Sequence, residues 1–151
     1  KKKKKGRPEV KGKIRQLQQE MSQGRMLEAV PQDDVIVTNP THFAVALKYE
    51  EGGSDAPIVV AKGADLIAAK IRNIAVGNGV TLVSAPPLAR ALFFTTEIDQ
   101  EVPKGLYLAV AQVLAYVYQL RIATQKRWKK PVAPSDISIL DEYKKYTNNT
   151  D

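Results

Sequence analysis

One tetrapeptide, Asn39-Pro40-Thr41-His42, holds residue types that can do covalent chemistry without a cofactor. Asn39 carries a carboxamide that can act as an internal nucleophile. Pro40 has no backbone N–H. The usual ageing route of asparagine, attack by the next backbone nitrogen on the side-chain carbonyl, is therefore closed. The reverse attack stays open. Asn39 Nδ2 can add to its own main-chain carbonyl carbon, a five-membered succinimide forms, and the Pro40 nitrogen leaves. The product is a chain cut between Asn39 and Pro40. His42 is the only histidine and lies two residues past that bond. Its imidazole, titrating near neutrality, can assist proton transfer or brace the loop, and the sequence leaves both roles open.

An unstrained peptide bond reacts this way very slowly, and a folded loop can help in three ways. It can hold the nucleophile at near-attack distance, worth up to ~7–11 kcal/mol in well-oriented intramolecular cases. It can twist the tertiary amide, at about 1 kcal/mol per ~12°. It can also stabilise the developing oxyanion with backbone N–H groups, such as those of Thr41 or His42. Against this stands a plainer view: Asn-Pro is an ordinary turn dipeptide, and a lone loop histidine is most often just a polar loop residue.

The neighbours of the tetrapeptide must position it. Val35–Thr38 and Phe43–Tyr49 are apolar, β-branched-rich runs on either side, the pattern of two strands joined by a tight loop. Upstream, Val10, Ile14, Leu17, Met21, Met26 and Leu27 recur at roughly helical spacing and predict a helix over residues 9–28 with a thin apolar stripe. Val30–Asp34 reads as a turn and Glu50–Asp55 as a flexible connection. Pro57–Ala61 gives a third strand ended by Lys62-Gly63, Ala64–Val76 an amphipathic helix with Gly77 as left-handed cap, and Val80–Val83 a fourth strand. Pro86-Pro87 opens a helix to about Thr95. The longest helix runs from Lys104 to about Gln125, with Leu106, Val110, Val113, Leu114, Val117 and Leu120 as its core stripe.

The order α-β-β-β-α-β-α-α predicts an α/β fold: a small four-stranded mixed sheet surrounded by helices, with a long N-terminal linker helix. The strand–helix–strand unit 57–83 implies a parallel pair, and the short 39–42 loop an antiparallel one. We expect three regions: a basic segment and linker helix at 1–28, a globular α/β domain that carries the Asn-Pro turn at 29–125, and a flexible tail at 126–151 with a short turn near Ile137–Tyr143; the family resemblance given below makes the first juxtamembrane and the second self-cleaving.

Composition narrows the classes of function. The chain has 151 residues, 44% of them hydrophobic and 26% charged, enough to bury one core. With no cysteine and one histidine, disulfides, thiolate metal sites and a Cys-His pair are out, and metal chemistry is disfavoured. Gly77-Asn78-Gly79 lacks the third glycine of a dinucleotide loop, so we expect no cofactor. The net charge of +7 is uneven: residues 1–25 carry ten basic and two acidic side chains, the rest 13 basic and 14 acidic. Only the N-terminal arm, led by Lys1–Lys5, is basic, and no basic groove or aromatic platform continues it toward nucleic acid. No run of 18 apolar residues occurs, so no membrane span is expected, and no signal peptide follows the lysines. The chain starts without Met, on five lysines, as a fragment or a processed piece would.

Asn39-Pro40-Thr41-His42, with Val35–Thr38 before it and Phe43–Leu47 after it, resembles the cleavage motif of the FlhB/YscU/SpaS family, the export-switch components of type III secretion systems. Val10–Arg15 resembles the family's linker helix, and Val59–Asp65 and Pro86–Leu92 its later blocks. The likeness covers about residues 9–122. Pro86-Pro87-Leu88-Ala89-Arg90 is more similar to flagellar members than to injectisome ones. The resemblance implies the cytoplasmic domain of an inner-membrane protein, attached through an upstream region, with Lys1–Lys5 leading from the membrane; basic residues beside a span favour the cytoplasmic side and anionic lipid. It implies autocleavage at Asn39-Pro40 in a single turnover, without release of the pieces, and a switch of exported cargo from rod/hook-type to filament-type. It implies as partners the early export substrates, the hook-length control protein and other export-gate components. It further implies an apolar docking patch for a short hydrophobic signal on early substrates, at Ala56, Pro57, Ala111 and Leu114, although Ala111 and Leu114 also fit plain helix core. The competing readings are an injectisome homologue with the same switch, and a non-cleaving binding module whose basic arm contacts lipid or nucleic acid.

Overall fold

The structure is a computed structural model and describes residues 8–50, 56–135, 137, 139–146. Lys1–Lys5 and most of the predicted Glu50–Asp55 connection lie outside the described residues.

Helix α1, Pro8–Ala29, starts on a proline, whose missing N–H costs nothing in a first turn. A single 3-10 turn at Val30–Gln32 leads to strand β1, Val35–Asn39, and β2 is Phe43–Lys48. Strand β3, Ile58–Ala64, runs past Lys62-Gly63, where the sequence pattern places a stop. Then come α2 (Asp65–Gly77), β4 (Thr81–Ser84), α3 (Pro86–Thr95), the two-residue β5 (Gln100–Glu101), a 3-10 turn at Lys104–Leu106 and α4 (Tyr107–Lys126). Helix α2 stops one residue later than expected. Asn78 closes it, its Nδ2 donating to Ile74 O at 2.8 Å, and the left-handed residue is Gly79, at φ +76°, not Gly77.

The sheet is mixed and has five strands in the order β4-β1-β2-β3-β5, one more than expected. The extra strand, β5, is too short and polar to show an apolar period, and its two residues pair with Ile58 and Val59. β1 and β2 are antiparallel, from Val35 opposite Leu47 to Asn39 opposite Phe43. The β3-α2-β4 unit is present, but β4 is not the neighbour of β3. It crosses over two strands and pairs in parallel with β1. β1 is thus an interior strand with ladders on both sides, and all five of its residues are buried.

Alternation along the strands divides the core into two layers. Ile36, Ala44, Ala46 and Ala61 face α2 (Ala68, Ile71, Ala75) and the end of α1 (Met26). Val35, Val37, Val45, Leu47 and Val59 face α3 and α4, against Leu88, Leu92, Leu106, Val110, Val113 and Val117. Leu120 is only half-buried, and Ala123 completes the stripe. By length and composition alone the helix Lys104–Lys126 could cross a membrane; its stripe lies in the core, while Leu108 and Ile122 stay exposed. In α1 only Met26 is buried, while Val10, Ile14, Leu17 and Met21 stay exposed.

The described part of the tail carries more structure than its composition suggests. Asp141–Tyr146 forms a 3-10 helix, and Ile137, Ile139, Tyr143 and Tyr146 pack against the α3/α4 layer. Four apolar side chains spread through a polar stretch give no period, yet they suffice to tie it down. Gly105 makes room: a Cβ there would lie 2.6 Å from Tyr143 Cε2.

Candidate functional site

Asn39 is the last residue of β1, and the chain reverses in the next three residues. Its carbonyl oxygen accepts the His42 backbone N–H at 2.9 Å, closing a four-residue turn. Pro40 takes the second position, where its fixed φ belongs, and Thr41 the third, at φ 69°. That third position suits glycine. A β-branched residue there is strained, at a cost on the order of 1–2 kcal/mol. Pro40 and Thr41 are exposed, His42 is half-buried. The far side of the turn is pinned too, because His42 O accepts the N–H of Asp65, the first residue of α2, at 2.9 Å.

The Asn39 side chain points inward and is only 6% exposed. Its partner is Arg90, itself buried in α3. A guanidinium has donors and no acceptor, so the carboxamide turns its oxygen toward it. Oδ1 then accepts from Nε at 2.8 Å and from an Nη at 3.2 Å. α3 is fixed over this end of β1 from below: Ala85 N–H donates to Thr38 O at 2.9 Å, just before Pro86-Pro87 start the helix. Arg90 follows one turn later.

Two features that would favour attack at the Asn39–Pro40 bond therefore meet here. One backbone donor already sits on the carbonyl oxygen that would become an oxyanion, and a buried cation holds one end of the internal nucleophile's amide. The sequence placed Asn39, Pro40, Thr41 and His42 together, and His42 N–H among the oxyanion donors. It did not single out Arg90, although the side chain lies inside the Pro86–Arg90 block. A charged residue between Leu88-Ala89 and Ala91-Leu92, on a face otherwise wholly buried, is the signal that could have found it.

Beside the turn lies an aromatic cluster, also not anticipated. The Phe43 ring is 4.5 Å from Phe93 and 5.6 Å from Phe94, and Phe94 stacks on Tyr146 at 5.7 Å. Lys62 Nζ donates to Phe93 O at 2.8 Å and lies over its ring.

Of the residues expected in a docking patch, three meet. Pro57, Ala111 and Leu114 line an apolar groove of about 350 Å³ with Tyr49, Tyr107, Ala115 and Tyr118. Ala111 is exposed and Leu114 is 6% exposed, so Leu114 is core and floor at once. Ala56 is buried at 1% and lines no wall of the groove. Among the described residues no group of acidic and histidine side chains could hold a metal ion.

A mixed five-stranded sheet flanked by helices, with an Asn-Pro turn at the end of an interior strand, is the architecture of a type III export component's cytoplasmic domain. The chain belongs to the FlhB HrpN YscU SpaS family, whose model matches residues 1–117. It is 52% identical over 139 residues to the flagellar biosynthetic protein FlhB of Salmonella typhimurium, covering 89% of this chain and 35% of that protein. It is 52% identical over 120 residues to the Bacillus subtilis FlhB, covering 80% and 33%. The chain thus spans about a third of the length of these curated relatives. Its fold matches the crystal structure of the cytoplasmic domain of FlhB from Shewanella putrefaciens with a TM-score of 0.78 and 50% identity, over 85% of this chain and 99% of that one. A mutated EscU C-terminal domain matches with a TM-score of 0.60 and 29% identity, over 62% and 94%.

Proposed function

We propose that this chain is the cytoplasmic domain of a flagellar protein-export component at the bacterial inner membrane. It cuts itself once, between Asn39 and Pro40, by cyclisation of Asn39, and the cut switches export from rod/hook-type to filament-type cargo. The observation that carries this reading is the 2.9 Å bond from His42 N–H to Asn39 O. It places a preorganised donor on the main-chain carbonyl oxygen, which gains charge as the ring closes on its carbon. The flagellar assignment rests on relatives near 50% identity, such as the Salmonella FlhB, against 29% for EscU.

The pieces stay together after the cut. Residues 1–39 keep β1 between β2 and β4, with Val35, Ile36 and Val37 fully buried. At roughly 1.5–3 kcal/mol per buried side chain, these three alone hold the fragment by several kcal/mol. What changes is the turn: Pro40, Thr41 and His42 lose their tether to β1 and release the Thr41 strain. Early substrates would dock a short hydrophobic segment in the groove at Pro57, Ala111 and Leu114. The hook-length control protein and other export-gate components are the partners that would read the altered surface.

Denaturing electrophoresis tests the cleavage. Purified protein should give two bands that co-purify under native conditions, the smaller ending at Asn39 by mass spectrometry, and Asn39→Ala should give one. A single intact band after long incubation at neutral pH sinks the proposal. In the same preparations, Ala111→Glu should weaken binding of a hydrophobic early-substrate peptide without changing the band pattern.

A further inference from the structure

We propose that Arg90 is a catalytic residue of the cleavage, stabilising the reactive form of the Asn39 side chain; this rests on the self-cleavage reading above. A neutral carboxamide nitrogen is a poor nucleophile, because its lone pair is delocalised toward Oδ1. Attack requires Nδ2 to give up a proton, and the charge left behind collects on Oδ1. The group facing Oδ1 therefore sets how easily the nucleophile forms. Here that group is a buried guanidinium with two donors on the same oxygen, at 2.8 and 3.2 Å. Charge-assisted, paired donors in a site shielded from water are the strong case. Their grip also fixes which end of the amide is engaged, leaving Nδ2 as the end that reacts.

The step balances without any further reagent. The Nδ2–C bond forms within residue 39 and the C–N bond to Pro40 breaks. One Nδ2 proton ends on the Pro40 nitrogen and the other stays on the imide nitrogen. Water then opens the ring and leaves residue 39 as the new C-terminus.

Nothing in the turn needs Arg90 for its backbone hydrogen bonds, so geometry and chemistry can be separated. Arg90→Met keeps a buried aliphatic stem without the charge; Arg90→Lys keeps the charge with one compact donor group. Cleavage rates of newly purified, fully denatured and refolded chains should fall by about 10²–10³-fold in Arg90→Met, the usual loss for a preorganised donor to a developing anion. Arg90→Lys should recover at least a tenth of the wild-type rate. Melting curves on the same samples check that both variants fold. A folded Arg90→Met chain that cleaves at the wild-type rate overturns the role of Arg90 and leaves self-cleavage standing. Equal slowing in Arg90→Met and Arg90→Lys chains of matched stability overturns it as well, because it would make the side chain's shape, not its charge, the requirement. An intact wild-type chain overturns the cleavage reading, and this inference with it.

Discussion

Two polar side chains are buried at opposite ends of β1, each 6% exposed. Asn39, at the C-terminal end, is neutral and meets a guanidinium. Asp33 lies just before the N-terminal end, and among the described residues neither of its carboxylate oxygens has a hydrogen-bond partner. Its neighbour Asp34 has taken the available donors, accepting from Tyr49 N–H at 2.7 Å and from Arg121 at 3.4 Å. Burial, and then the charge of Asp34, push the Asp33 carboxyl up to about 8, with Lys48 pulling weakly the other way. Burial is equal at the two ends, so the partner decides the outcome. A satisfied amide is cheap to bury, while an unpartnered carboxylate is costly and keeps its proton instead.

Asn39→Asp puts a carboxyl group at both ends and gives the largest effect. The new side chain keeps an acceptor for Arg90 but has no Nδ2, so cleavage at pH 7 should vanish on electrophoresis. With the guanidinium beside it, the introduced carboxylate should stay ionised where Asp33 does not, and the melting temperature should equal or exceed that of Asn39→Ala. Cleavage at the wild-type rate would overturn cyclisation through Asn39 Nδ2, and a marked loss of stability would mean that the Arg90 contact is not what makes this end tolerant.

The next effect is at the other end. In the folded chain Asp33 holds its proton up to about 8; in the unfolded chain it releases it near 3.8. Below 3.8 both states are protonated and burial carries no charge penalty. As pH rises between the two values the unfolded state is progressively favoured, and above about 8 the full penalty is present. At about 1.4 kcal/mol per unit, the ceiling is several kcal/mol. Asp33→Asn, in an Asn39→Ala background to keep the chain whole, should therefore raise the denaturation midpoint more at pH 8 than at pH 5. Equal gains at both pH values would show that Asp33 is ionised in the folded chain.

The two ends were unequally legible in the sequence. The Asn39–His42 turn is local: strand, breaker and strand follow one another, and the donor to the Asn39 carbonyl lies three residues away. A turn confined to four residues can be read from four residues. Arg90 is 51 positions from Asn39, and what joins them is the placement of β4 beside β1, which the strand–helix–strand rule did not give. That rule fixes the parallel direction and not how many strands the crossover skips. The same gap hid β5 and the docking of Tyr143 and Tyr146, whose partners are distant and whose own segments have no period. Asp33 looked like an ordinary turn residue, since burial is a property of the assembled sheet. In the groove, Ala56, Pro57, Ala111 and Leu114 were expected from the family resemblance alone, and nothing local distinguished Pro57, which lines it, from Ala56, which does not.

The smallest effect sharpens what the Asn39 end stores besides hydrogen bonds. Thr41 sits at φ 69°, costing about 1–2 kcal/mol relative to a residue without a Cβ. Glycine removes that cost but adds back roughly 0.5–1 kcal/mol through the greater freedom of its unfolded chain. In the Asn39→Ala background, Thr41→Gly should therefore stabilise by only about 0.5–1 kcal/mol in denaturant melts. The kinetic consequence depends on where the strain is released. If the cut relieves it in the transition state, Thr41→Gly in the Asn39 chain should slow cleavage, and with ~1.4 kcal/mol per decade the loss is at most about thirtyfold. That is smaller than the loss expected for Arg90→Met, so the two variants rank electrostatics above strain. A Thr41→Gly chain that cleaves more slowly than Arg90→Met would reverse that ranking and make the twisted turn, not the guanidinium, the main source of the rate.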